Sequence, residues 1–278
     1  MCDVQPGPVE NHRSRESGVL VYPVFSRRSK GLSVGINLFP DRKVCSFDCP
    51  YCEVFPFQRD AAFRLDLLET ELRATLRRLK AGEFPVRDIS FSGNGEPSLA
   101  PQFHEALEAT ARIRDQEASG AALVLITNGT GLLSDQTFDL LRRFAAGPER
   151  LSIWLKLDAG TGDWYARMNR SPVPFNALLD RIRELVRRAP VILQTMLCRI
   201  NGEAPSAEEA AAWTALATEL AGLNAAPGAG IQGVQIYGKA RPAPEDPLAE
   251  ALGPDYLEDR AQALQNALGR AIPVEVFV

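Results

Sequence analysis

The sequence predicts an α/β chain: a partial (β/α)6 TIM-like barrel over residues 31–278, preceded by a short N-terminal extension over residues 1–30 and closed by a C-terminal helix–strand. Three observations predict it. Short apolar runs alternate with longer amphipathic ones along the chain. Strand-then-helix repeats of this kind form parallel sheets with right-handed crossovers. The six repeats occupy Leu32 to Leu268, fewer than the eight units that fill about 250 residues in a full barrel. An open doubly wound sheet is the alternative arrangement.

The elements follow in order. Leu32 to Leu38 reads as the first strand. Leu65, Leu68, Leu72, Leu76 and Leu79 recur at helical spacing and predict a helix. Asp88 to Phe91 is the second strand, and Pro101 suits the first turn of a helix whose apolar face includes Phe103, Leu107 and Ile113. Ala122 to Ile126 is the third strand, ended by Thr127-Asn128-Gly129. Ser134 caps a helix carrying Phe138, Leu141 and Phe144. Leu151 to Leu157 is the fourth strand, and Phe175 to Arg188 a helix with Leu178, Leu179, Ile182 and Leu185 inward. Val191 to Leu197 is the fifth strand. Ser206-Ala-Glu-Glu209 has the form of a capping box and opens a helix to about Ala221. Ile231 to Tyr237 is the sixth strand, after the loop Ala225 to Gly230. A helix near Asp255 to Leu268 and a strand at Val274 to Val278 close the chain.

Composition narrows the function classes. Apolar residues make up 45% and charged residues 24% of the 278, ordinary for a globular protein. No apolar run reaches the roughly 18 residues of a membrane span, and Met1 to Ser17 is polar with no apolar targeting core. A cytoplasmic, reducing location and no membrane partner are the expectation. A net charge of −4 disfavours broad nucleic-acid binding. Two basic helix faces, Arg73, Arg77, Arg78, Lys80 and Arg181, Arg183, Arg187, Arg188, alternate with acids and read as solvated faces.

The densest chemical signal is Cys45-Ser-Phe-Asp-Cys49-Pro-Tyr-Cys52, a Cys-x3-Cys-x2-Cys motif with aromatic Tyr51 before its last cysteine. Three thiolates this close converge on one centre but fall one ligand short of a closed tetrahedral site. An iron–sulfur cluster so held keeps one iron open for chemistry. Structural zinc needs a fourth ligand, and His12, His104, Cys2 and Cys198 form no short-spaced pair to supply it. A disulfide framework does not suit three clustered thiols.

Ligands gather at the carboxyl ends of strands in either arrangement. The cysteine loop follows the first strand. Ser92-Gly93-Asn94-Gly95-Glu96-Pro97 follows the second: its glycines let a ligand approach the backbone, and Glu96 accepts hydrogen bonds from an ammonium. Asn128-Gly129-Thr130 follows the third, where Asn128 is a ribose contact or a turn residue. Lys156 and Asp158 share one face at the end of the fourth, as ligand contacts or as an ion pair. The fifth offers Gln194, Met196 and, just past its end, Arg199; the sixth offers Gln235 and Tyr237, followed by Lys239, Arg241 and the stiff run Pro242-Ala-Pro244. Cys198, just past the fifth strand, reads as a buried structural thiol.

On the cysteine motif, the Gly-rich acidic run and the six strand–helix units, the chain resembles the radical S-adenosylmethionine superfamily over most of its length. The stretch Gly35-Ile-Asn-Leu-Phe-Pro40, leading to the cysteines and on to Glu53-Val-Phe55, resembles a group of single-domain Fe–S oxidoreductases near the wyosine-type and molybdenum-cofactor-type branches. The resemblance implies that Cys45, Cys49 and Cys52 ligate a [4Fe-4S] cluster whose fourth iron binds S-adenosylmethionine. It implies that Tyr51 lines the adenine pocket. Gly93, Asn94, Gly95 and Glu96 would hold the methionine amino group, although the family's Gly-Gly-Glu-Pro is here Gly-Asn-Gly-Glu-Pro. Asn128 and Asp158 would make ribose or methionine contacts. A reduced cluster would split S-adenosylmethionine to a 5′-deoxyadenosyl radical that takes hydrogen from a substrate not specified by the sequence. Trp154, Met196 and Tyr237 would line the mouth, or pack as core. A flavodoxin or ferredoxin would donate electrons. No second cysteine cluster or cobalamin domain is expected. The alternatives are a tRNA- or nucleotide-modifying radical enzyme and a non-enzymatic Fe–S or zinc-binding module.

Overall fold

A computed structural model describes residues 19–54, 57–58, 60, 62–241, 243 and 248–278. Residues 1–17 with Cys2 and His12, Phe55, and both prolines of the run Pro242-Ala-Pro244 lie outside the described residues. The chain divides into two compact units: Met1–Cys45 with Pro56–Ile126 and Glu149–Leu151, and Ser46–Phe55 with Thr127–Pro148 and Ser152–Val278.

In the first unit, β1 (Val21–Ser26) turns back antiparallel onto β2 (Gly31–Ile36), pairing Val21 with Ile36 and Ser26 with Gly31. The helix α1 (Leu65–Ala81) buries Leu68, Leu72, Leu76 and Leu79, the leucines whose spacing predicts it. β3 (Val86–Phe91) lies parallel to β2. The helix α2 (Phe103–Glu117) buries Phe103, Leu107 and Ile113, and Phe103 meets Phe91 edge-on at 6.0 Å between centroids. β4 (Ala122–Thr127) is parallel to β3. Leu32 to Ile36 of β2 and Asp88 to Phe91 of β3 are buried at every position, as strands covered on both faces require. Arg73 and Arg77 of α1 pair with Glu117 of α2, so this basic face meets acid across the helix pair.

The second unit carries α3 (Asp135–Ala146), β5 (Ser152–Lys156), α4 (Gly162–Met168), α5 (Phe175–Val186), β6 (Pro190–Ile200), α6 (Ala207–Ala221), β7 (Gly230–Gly238), β8 (Ala249–Ala251), α7 (Pro254–Leu268) and β9 (Val274–Phe277). β5, β6, β7 and β9 run parallel in that order, and β8 pairs antiparallel with the far end of β6. Among the described residues, no helix is long and apolar enough to cross a membrane.

Several local expectations change. β6 extends to Ile200, so Cys198 and Arg199 lie on the strand and not past it; pairing with β8 prolongs the strand there. Cys198 is buried, with Sγ 3.8 Å from Met168 Sδ. The strand expected at Leu151 to Leu157 is shorter, Ser152–Lys156. The α2 helix begins at Phe103, after Pro101, and Pro97 instead opens a single 3-10 turn. β1, β8 and α4 were not anticipated. β1 contains Pro23, which only an edge strand tolerates well. β8 is Ala-Glu-Ala, weak in strand propensity and fixed by its partner.

The capping motif at α6 is only half used. Ser206 Oγ accepts from Glu209 N at 3.1 Å, as an N-cap should. Glu209 does not reciprocate. Its carboxylate is drawn to the Gly160–Thr161 loop, accepting from Gly160 N at 2.6 Å and from Thr161 N at 3.0 Å. Two backbone donors in a tight loop outbid one at the helix start; Gly160 has no space for a Cβ, which would stand 2.1 Å from Trp213 N. Ser206→Ala removes the remaining cap, with an expected loss of about 1 kcal/mol, read as a lower urea midpoint with unchanged slope.

Candidate active site

In the first unit, the chain leaving β2 folds back beside the Gly-rich run after β3. Val44 N donates to Asn94 O at 3.1 Å, and Glu96 N donates to Val44 O at 2.8 Å. This parallel bridge between Val44 and Gly95 fixes the backbone that leads directly into Cys45. It also dictates glycine. A Cβ on Gly95 would stand 1.8 Å from Val44 O, and φ is +153°. Gly93, at φ +123°, lies against Asn37. The extra residue of the run is accommodated by two bonds: Asn94 N donates to Asn37 Oδ1 at 3.2 Å, and Asn94 Nδ2 to Phe39 O at 3.0 Å. Glu96 is buried and caps the turn Pro97–Leu99, accepting from Ser98 N at 3.2 Å and Ser98 Oγ at 2.5 Å.

In the second unit, the stretch from Ser46 to Cys52 is fastened at three places. Asn128 Nδ2 donates to Ser46 Oγ at 3.1 Å, and Ser46 Oγ lies 2.5 Å from Thr130 Oγ1. Asn128 Oδ1 accepts from Thr130 N at 2.9 Å and Thr130 Oγ1 at 2.8 Å, so Asn128 shapes its own turn while holding the loop. At the middle, Asp48 N donates to Asn169 O at 2.9 Å, and Asn169 Nδ2 points to Cys49 Sγ at 3.6 Å. At the end, Tyr51 Oη donates to Asp158 Oδ2 at 2.5 Å.

Asp158 is the hub. It also accepts from Met196 N at 2.9 Å and Asn169 Nδ2 at 3.0 Å, and pairs with Lys156 at 3.3 Å. Lys156 donates to the Tyr237 hydroxyl and stands 4.9 Å from the ring centroids of both Tyr51 and Tyr237. Lys156 and Asp158 therefore form the ion pair, with two aromatic rings around the cation. Burial pulls the Lys156 ammonium down, but the charges of Asp158, Tyr237 and Cys49 outweigh it and the net shift is upward. Burial, then the charge of Asp158, pushes the Cys49 thiol up to about 12. Burial and Asp158 likewise push the Tyr51 phenol up.

Other strand-end residues satisfy one another. Gln194 Nε2 donates to Gln235 Oε1 at 2.7 Å across the β6–β7 register. Trp154 and Met196 are buried, and Trp154 Nε1 donates to Ser152 Oγ at 3.0 Å. Arg241 pairs with Glu53, just past the cysteines, at 2.6 Å. Sequence reasoning missed Asn169, Ser46 and Glu53. Asn169 closes α4, a seven-residue helix too short to show periodicity.

Cys45 is exposed and Cys49 and Cys52 are half-buried; none is in a disulfide. Among the described residues, no three His, Cys, Asp or Glu side chains close on a single ion. The donor set itself, three soft sulfurs within eight residues, fits an iron–sulfur cluster.

The sequence model of the Radical SAM superfamily matches residues 42–210, which include all three cysteines, Glu96 and Asp158. A UPF0026 protein of Helicobacter pylori is 25% identical over 189 residues, 66% of this chain and 56% of that protein. A UPF0026 protein of Synechocystis sp. is 31% identical over 149 residues, 53% of this chain and 51% of that protein. The chain thus spans about half the length of these curated relatives. Among solved structures, a radical SAM methyltransferase from Sphaerobacter thermophilus superposes with a TM-score of 0.65 at 18% identity, covering 92% of this chain and 68% of that one. TYW1 with a lysine-pyruvate adduct bound gives 0.57 at 15% identity, covering 89% and 84%. These likenesses place the fold in the α/β class of partial TIM-like barrels.

Proposed function

The chain belongs to the radical SAM superfamily, whose enzymes use a [4Fe-4S] cluster and S-adenosylmethionine, and on that premise we propose that it cleaves S-adenosylmethionine reductively to start hydrogen abstraction from a substrate. The observation that carries this reading is the Cys45-x3-Cys49-x2-Cys52 motif at the start of the matched span, with none of its thiols in a disulfide. When bound, a cluster held there would supply the single electron that reductive cleavage of S-adenosylmethionine requires.

The chain's own residues take the remaining roles. Cys45, Cys49 and Cys52 would hold the cluster. Gly93, Asn94, Gly95 and Glu96 present backbone and carboxylate to the methionine end. Tyr51, Asn128 and Asp158 shape the nucleoside end, where the bond of Tyr51 to Asp158 supports a fixed ring. Thiol donors of this kind suit a reducing, cytoplasmic compartment, and a flavodoxin- or ferredoxin-type protein fits as the electron donor.

The test is anaerobic reconstitution with iron and sulfide, then dithionite and S-adenosylmethionine. 5′-Deoxyadenosine and methionine are expected in equal amounts by chromatography. A protein that carries four irons and yields no 5′-deoxyadenosine refutes the reading.

A further inference from the structure

Resting on that cluster assignment, we propose that Asn169 is a positioning residue that sets the reduction potential of the cluster through an N–H···S hydrogen bond to Cys49. Asn169 is 1% exposed. Its backbone is held on both sides: Asn169 N donates to Tyr165 O at 2.9 Å, closing α4, and its carbonyl accepts from Asp48 N at 2.9 Å. Its side chain has one orientation. The Asp158 carboxylate receives Tyr51 Oη, Met196 N and Lys156 Nζ and has only acceptor oxygens to offer. The nitrogen of the Asn169 amide must therefore face it, at 3.0 Å. One amide hydrogen goes to Asp158 Oδ2, and the other points to Cys49 Sγ at 3.6 Å.

An N–H directed at a ligating sulfur places positive charge beside the electron that the cluster gains. It favours the reduced form, and hydrogen bonds to sulfur are among the levers that set Fe–S potentials. Burial strengthens the effect, because little water competes for the sulfur. The anchor at Asp158 matters as much as the donor: it stops the amide from rotating its oxygen toward Cys49, which would act in the opposite sense. Asn169 offers only hydrogens here and is not a cluster ligand.

The experiment uses the full chain, reconstituted with iron and sulfide, in wild-type form and as Asn169→Leu and Asn169→Ala. Leucine keeps the volume and removes the donor; alanine guards against a leucine that does not fit. Iron content, far-UV circular dichroism and a redox titration followed by electron paramagnetic resonance are measured on each. The expected result is wild-type iron and fold, with the equilibrium constant for one-electron reduction lowered about tenfold, a downward shift of 59 mV. Unchanged potentials in iron-loaded variants overturn the proposal. Loss of iron from both variants also overturns it, by making Asn169 a scaffold for the loop alone. A wild-type chain that takes up no cluster overturns the underlying assignment instead.

Discussion

Cys49→Ala is expected to leave the purified chain folded and almost free of iron. The side chain of Cys49 is bonded by Asn169 Nδ2 and Tyr51, both of which keep other partners, and the turn it sits in is held by backbone, Cys52 N donating to Cys49 O at 2.9 Å. The three fastenings of the loop, through Ser46, Asp48 and Tyr51, survive the change. Metal retention does not survive it. Only two of the three thiolates of the motif remain, too few to hold the cluster. Iron analysis and visible absorbance after anaerobic reconstitution, beside a far-UV spectrum, decide the matter. Wild-type iron in the variant would mean that Cys49 is not a ligand.

Gly95→Ala is expected to be strongly destabilising. Its Cβ would meet Val44 O at 1.8 Å, and that oxygen is part of the backbone, already bonded to Glu96 N. No rotamer relieves the clash. The strands must part, losing both Val44 bonds, and alanine is strained at φ +153° besides. Two hydrogen bonds and one strained residue together come to about 3 kcal/mol or more, read as a fall in the urea midpoint. Gly162→Ala is the control: its Cβ meets nothing within 4 Å, so no comparable loss is expected. Equal effects of the two changes would show that the close approach at Gly95 is not what fixes this loop.

The sequence showed most where signal is local. Parallel strands announce themselves as apolar runs, and α1 by its leucine spacing, because burial on a fixed face leaves a period. The cysteine motif and Gly93–Glu96 were legible for the same reason: one loop, one chemistry. Asn169 was not, because its meaning comes from Cys49 and Asp158, residues 120 and 11 positions away. Glu209 shows the limit from the other side. The Ser-x-x-Glu pattern correctly marks the start of α6 at Ser206, yet the glutamate answers to Gly160 and Thr161, which no local pattern reveals. Cys198 and Arg199 moved onto β6 because β8, three residues with no strand character of their own, extends it.

The pair between Arg241 and Glu53 ties the exit of β7 to the stretch just beyond Cys52. Its side chains are 22% and 26% exposed, so water and ions reach it, and a contact of this kind is worth about 1 kcal/mol or less. It behaves as a latch and not as a weld: it keeps the two segments in step at low ionic strength, and salt slackens it.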